Sequence, residues 1–187
     1  MDFGELTELC EKLAATTRRT LMTDMVADFL KQLELEEVEP AVSMMLGRSF
    51  PKWDQRTLDI SWATLSGIVK RLTKTSWKEF SAAFRETGDI GAATQAVFEG
   101  NRIRKQTTLA DRPLTVLEVR RVLETVAESS GQGSRERKER LLESLISRAT
   151  PLETKYLVKI IIGEMRTGFH EGLMESAVSK AFSIPLK

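Results

Sequence analysis

Apolar residues in this chain return every third or fourth position from one end to the other, and nowhere at every second position. Leu6, Leu9 and Leu13 form one such stripe, and Met22, Met25, Val26, Phe29, Leu30 and Leu33 form the next. Further stripes run through Trp62, Leu65, Ile68, Val69 and Leu72, through Trp77, Phe80 and Phe84, and through Val119, Val122, Leu123 and Val126. Tyr156, Leu157, Ile160 and Ile161 make the most apolar of them. A period of 3.6 lines one face of a helix, whereas a half-buried strand needs strict alternation. The spacing therefore predicts an all-α protein.

Helix starts are marked in the same text. Ser76–Glu79, Thr115–Glu118 and Thr150–Glu153 have capping-box spacing, and Pro151 takes the first-turn position that proline favours. Thr17 or Thr20 is the candidate cap of the second helix, and Asp59 that of the helix containing Trp62. Residues 34–39 read as an acidic connector, after which Pro40 opens a short helix closed by Gly47. Residues 48–56 read as a basic loop, residues 88–91 as a turn between two helices, and residues 172–182 as a last helix. The aromatic residues sit on apolar stripes, which places them in a core rather than on a base-stacking surface.

An internal echo suggests two halves. Leu9, Leu13 and Ala14 match Val122, Val126 and Ala127 at an offset of 113. Phe29 and Leu30 match Leu145 and Ile146 at an offset of 116, as Met45, Leu46 and Gly47 match Ile161, Ile162 and Gly163. The change of offset falls where the second copy has the longer, glycine-rich turn. The expectation is one domain of two pseudo-symmetric helical halves, residues 1–100 and 113–187, joined by a basic connector over 101–112.

That longer turn is Ser-Gly-Gln-Gly-Ser-Arg-Glu-Arg-Lys, residues 130–138. Gly131 and Gly133 allow a tight turn, and Ser134 is placed to cap the helix that follows. Arg135, Arg137 and Lys138 then crowd the positive end of that helix, where the dipole favours carboxylates. A plain turn and cap with solvated charges is one account. A bound anion, held by backbone N–H groups and cations together, is the other, and phosphate is its candidate. Arg18 and Arg19 occupy the matching turn of the first half. Two such starts aimed the same way would suit a repeating phosphate backbone.

Composition narrows the class. Residues 1–100 carry 12 Lys+Arg and 16 Asp+Glu, and the remainder 16 and 11, so a net −4 is followed by a net +5. The second half can present a basic face without the chain being a general polycation. No apolar run approaches the ~20 residues of a membrane span, and the start has no leader pattern. Cys10 is the single cysteine, which suits a reducing, cytoplasmic setting, or a nuclear one in a eukaryote. His170 is the single histidine and reads as a loop or packing residue. Neither a P-loop, a nucleophile elbow nor zinc-ligand spacing is present. Independent catalysis is not expected.

Taken in order, these residues resemble a family. They are Leu9, Leu13 and Ala14 with Thr16 to Arg19; Pro40 to Leu46 with Gly47, Arg48 and Pro51; and Gly88-Asp89-Ile90-Gly91. Leu114 to Val116, Gly133-Ser134 with Lys138, Glu153 with Tyr156-Leu157, and Gly163 to Gly168 with Glu171-Gly172 complete the series. The pattern, over nearly the whole chain, resembles the N-terminal DNA-binding domain of ATP-dependent DNA ligases of the archaeal and eukaryotic kind. The resemblance implies an all-helical, pseudo-two-fold, monomeric body that grips nicked double-stranded DNA through the minor groove. Its implied partners are the catalytic nucleotidyltransferase and OB-fold domains of a parent ligase, with no membrane involved, and its implied processes are replication, repair and recombination. By position it implies phosphate contacts at Gly131, Gly133, Ser134, Arg135 and Lys138, at Arg166, Thr167 and Gly168, and at Arg18 and Arg19. Two places depart from the family pattern: Leu58-Asp-Ile-Ser61 stands where a Leu-Gly-Ile-Gly turn is usual, and Thr167 where a branched apolar residue is usual. No Lys here is followed by x-Asp-Gly, the family's adenylation motif, so ATP and Mg belong by implication to the catalytic domain alone. The chain is expected to bind DNA and not to seal it. The rival reading is a helical protein-interaction scaffold without nucleic-acid binding.

Overall fold

The computed structural model describes residues 1–101 and 112–185, which form ten helices. Arg102, Arg104 and Lys105 of the expected connector lie outside the described residues. The helices are α1 (Phe3–Ala14), α2 (Arg19–Leu30), α3 (Leu35–Met45), α4 (Trp62–Thr73) and α5 (Trp77–Thr87), then α6 (Ile90–Gly100), α7 (Val116–Glu128), α8 (Ser134–Arg148), α9 (Pro151–Ile162) and α10 (Glu171–Phe182). Among the described residues the sole β pairing is one isolated bridge, Asp2 with Thr115. The fold is all-α, as the periodicity requires.

The main core is built around α1 and α9. Phe3, Leu6, Leu9, Cys10 and Leu13 of α1 are buried, as are Tyr156, Leu157, Val158 and Ile160 of α9, and α7 adds Val119, Leu123 and Val126. Tyr156 enters it with its hydroxyl satisfied, donating to Glu11 Oε1 at 2.7 Å. A smaller apolar cluster of Val69, Phe80, Ala93 and Val97 joins α4, α5 and α6, with Trp62 and Trp77 against Phe80.

Three helix starts follow the sequence cues: Ser76, Thr115 and Thr150 each accept the backbone N–H three residues on. The capping assignments elsewhere change. Ser61, not Asp59, caps α4, because Asp59 takes a left-handed backbone at φ 50°. Arg18 stands at the cap of α2 without a side-chain bond, and Thr16 rather than Thr17 or Thr20 supports it, accepting the Arg18 N–H at 3.2 Å. The acidic connector is also absent. Residues 35–39 are the first turns of α3, with Glu34 and Glu37 in a capping box, and Pro40 lies within the helix. Carboxylates in the first turn suit a helix N-terminus, and Pro40 in the second turn forgoes one backbone hydrogen bond.

Reciprocal bonds connect the two parts of the chain. Phe3 N–H donates to Leu114 O at 2.7 Å and Val116 N–H to Met1 O at 3.2 Å, a pair exchanged by an offset of 113. The ends of α3 and α9 close alike: Arg48 N–H reaches Ser43 O and Glu164 N–H reaches Lys159 O, both at 2.9 Å and 116 residues apart. Gly47 and Gly163 supply the left-handed residue of these two Schellman closures. Helix pairs in contact include α1 with α9 and α3 with α7, and α2 with α10 and α4 with α8. The parts are unequal in content, since six described helices precede residue 101 and four follow it.

Candidate nucleic-acid interface

The glycine-rich turn forms as its sequence requires, with one exchange of roles. Gly131 and Gly133 have φ of 77° and 73°, and Ser134 N–H donates to Gly131 O at 3.2 Å. Gly133, not Ser134, occupies the cap position of α8, because the residue closing this turn must be left-handed and only glycine adopts that freely. Ser134 becomes the first helical residue, and no side chain caps the helix. Arg135 is exposed and pairs with Glu139 at 3.3 Å. Arg137 and Arg140 are exposed, with no ion-pair partner among the described residues.

Lys138 differs from its neighbours. Its side chain is 9% exposed, and Nζ donates to Leu58 O at 2.8 Å, with Asp59 Oδ2 at 3.8 Å. The sequence held the signal for this. Lys138 precedes Leu142 by four positions and Leu145 by seven, so it shares their buried face.

The turn between α9 and α10 is the second centre. Arg166 has φ 51° and Gly168 φ 73°. The Arg166 guanidinium donates to Gly88 O at 3.0 Å and to Glu164 at 2.9 Å, which joins this turn to residues 88–91. Thr167 faces inward, 4% exposed, with its hydroxyl accepting the Phe169 N–H. Its burial accounts for the apolar residue usual there. The Met22 methyl lies 3.5 Å from where a Cβ on Gly168 would stand. The first turn of α2, with exposed Arg18 and Arg19, is therefore beside this turn.

A series of contacts links the two centres. Lys138 ties the start of α8 to Leu58 and Asp59. A shallow depression of about 370 Å³ then joins Leu58, Asp59 and Ile60 to Gly47 and Arg48 and to Ile160 through Gly163. From Gly163 the chain runs directly into Arg166 and Gly168, and so to Arg18 and Arg19. The predicted residues fall at both ends of this track, each end holding a basic helix start beside a positive-φ turn. The acidic side chains on it include Asp54, Asp59, Glu136, Glu139 and Glu164.

The basic loop of residues 48–56 behaves differently. Arg48 and Lys52 both pair with Glu171, at 2.7 and 2.6 Å, and Arg56 bridges Asp54, Glu124 and Glu128. Hydrogen bonds from Arg56 hold the Asp54 carboxyl below the usual carboxylate range. These cations fasten the loop to α7 and α10. Beyond the loop an apolar groove of about 450 Å³ lies between α3 and Trp53, floored by Val38, Val42, Leu46 and Pro51.

With this geometry in place, comparison with known proteins is direct. Residues 2–179 match the family model described as DNA ligase N terminus. The chain is 35% identical over 184 residues to a DNA ligase of Thermococcus onnurineus, covering 98% of this chain and 32% of that protein. It is 35% identical over 183 residues to a DNA ligase of Archaeoglobus fulgidus, covering 97% of this chain and 32% of that protein. For a DNA ligase of Methanopyrus kandleri the identity is 34% over 188 residues, with coverage of 100% and 33%. The chain thus spans about a third of the length of these relatives. It belongs to the DNA ligase N-terminus family.

Proposed function

We propose that this domain binds duplex DNA without reading its sequence, across the minor groove around a nick, as the N-terminal part of an ATP-dependent DNA ligase in replication and repair. The observation that carries the reading is the single track with a basic helix start at each end. Arg18 and Arg19 serve one end with Arg166 and Gly168; Gly131, Gly133, Ser134, Arg135 and Arg137 serve the other. Backbone N–H groups at glycine turns and helix starts hold phosphates at fixed positions, and arginine adds charge that releases counterions. Such contacts set orientation and register but carry no base identity. Preference for a nick then arises from duplex shape and from the catalytic and OB-fold domains, which would also hold ATP and magnesium. No helix of the described residues is long and apolar enough to cross a membrane.

The test is backbone amide NMR of the domain titrated with a nicked duplex. The reading expects shifts concentrated at residues 16–22, 57–61, 131–138 and 163–168. Shifts confined to the groove between α3 and Trp53, or none at saturating duplex, would remove it in favour of a protein-interaction scaffold.

A further inference from the structure

Lys138 is the basic residue of the α8 start that the surface does not need. Arg135, Arg137 and Arg140 already stand exposed on the same two turns. Burying an ammonium is costly unless it is well paired, and an apolar side chain of similar length would fill the space without that cost. The partners of Nζ are the Leu58 carbonyl at 2.8 Å and a carboxylate oxygen of Asp59 at 3.8 Å, on a side chain 74% exposed and therefore well screened. What the charge adds at this position is a fixed Leu58 carbonyl.

That carbonyl opens a turn with reason to move. Asp59 holds φ 50°, a left-handed conformation that a residue with a β-carbon adopts at a cost. Within the turn it is held by the bond from Thr57 Oγ1 to Asp59 Oδ1, at 2.8 Å. The same turn lines the central depression of the track and leads into the capped start of α4. We infer that Lys138 is a positioning residue for nucleic-acid binding, which holds the Leu58–Ser61 turn in place on the track and touches no phosphate itself. This rests on the DNA-binding reading above and reassigns one residue within it. The helix start and the turn 80 residues away in sequence act as one unit, with Lys138 as their link.

Two measurements test it. The first compares the salt dependence of nicked-duplex binding for the unaltered chain, Lys138→Met and Arg137→Gln, with thermal melts of all three. A residue that contacts a phosphate contributes about 0.9 to the slope of log K against log salt. Arg137→Gln is expected to lower affinity and flatten the slope by about that amount. Lys138→Met is expected to lower affinity about tenfold with the slope unchanged. A flattening equal to that of Arg137→Gln, or an unchanged affinity, overturns the inference while leaving the DNA-binding reading in place. Absence of binding by the unaltered chain overturns the reading itself. The second measurement needs no variant and so does not depend on Lys138→Met folding. Lysines are acetylated with an N-hydroxysuccinimide ester, with and without duplex, and read by mass spectrometry. Lys138 is expected to react slowly in both states. Fast reaction in the free chain with protection by DNA overturns the inference.

Discussion

Lys159 Nζ lies 2.6 Å from Asp89 Oδ2, and the two side chains are 5% and 19% exposed. The pair joins the last turn of α9 to the start of α6, where Asp89 also accepts the Ala92 N–H at 2.8 Å as the helix cap. Burial by itself would raise the Asp89 pKa, but the hydrogen bonds from Lys159 and Ala92 and the nearby positive charge hold it below the ordinary carboxylate value. Arg166 reaches the Gly88 carbonyl one residue before, so this buried pair underlies one end of the track.

Asp89→Asn leaves the cap but strands a buried ammonium. The expected loss is about 3 kcal/mol, measured by denaturant unfolding at neutral pH. The sign of the pH dependence follows from the depressed pKa. The contribution is complete above the unfolded value of about 3.9 and disappears as the pH falls through the lower folded value. The gap between the two proteins should therefore close only in acid. A gap that is constant down to strongly acidic pH would contradict the assignment.

Gly91 is glycine for want of space. A Cβ there would lie 2.7 Å from Lys159 Cγ and 2.9 Å from the Lys155 carbonyl oxygen. The backbone oxygen cannot move aside, so Gly91→Ala should cost about 2 kcal/mol in denaturant unfolding. Gly88→Ala meets no atom within 4 Å and is strained only by its φ of 64°, so a cost of about 1 kcal/mol is expected.

Arg18 and Arg19 are exposed and make no ion pair among the described residues. Replacing both with alanine should leave the melting temperature unchanged and flatten the salt slope of duplex binding by about 1 to 2. An unaltered slope would take the start of α2 off the interface.

Asp59 places a carboxylate on the track at a left-handed position. Asp59→Gly removes the charge and the β-carbon together. Duplex affinity at low salt should rise, with stability changed by less than about 1 kcal/mol, because relief of strain and loss of chain stiffness oppose each other. A fall in affinity, read by fluorescence anisotropy, would contradict the placement of Asp59 on the track.

The helices were legible because each repeats a local signal. Ser76, Thr115 and Thr150 announce their helices by caps that act within three residues. Individual bonds fall at the offsets of 113 and 116, at Asp2–Thr115 and at Gly47 and Gly163, while the two halves differ in helix content. Local signals failed where a distant partner decides. The acidic run is the exception: it read as a connector although its Glu34–Glu37 capping box is local, and Glu39 adds a distant partner, Arg120, at 3.0 Å. Lys138 looked like one of three phosphate ligands because adjacent residues were read together. Its register with Leu142 and Leu145 places its side chain on the buried face, and its partner lies 80 residues away. The basic loop likewise finds distant partners, since Arg56 meets its carboxylates on α7.

The most direct test of one phosphate-binding track is a fluorescence-anisotropy titration of the domain with a nicked duplex at graded salt, beside a single strand of equal length. With ~5–8 phosphates engaged, log K should fall against log salt with a slope of roughly −5 to −7. The single strand should bind more weakly, and a change of duplex sequence should matter little. Binding that is indifferent to salt, or absent at low salt, would contradict the account.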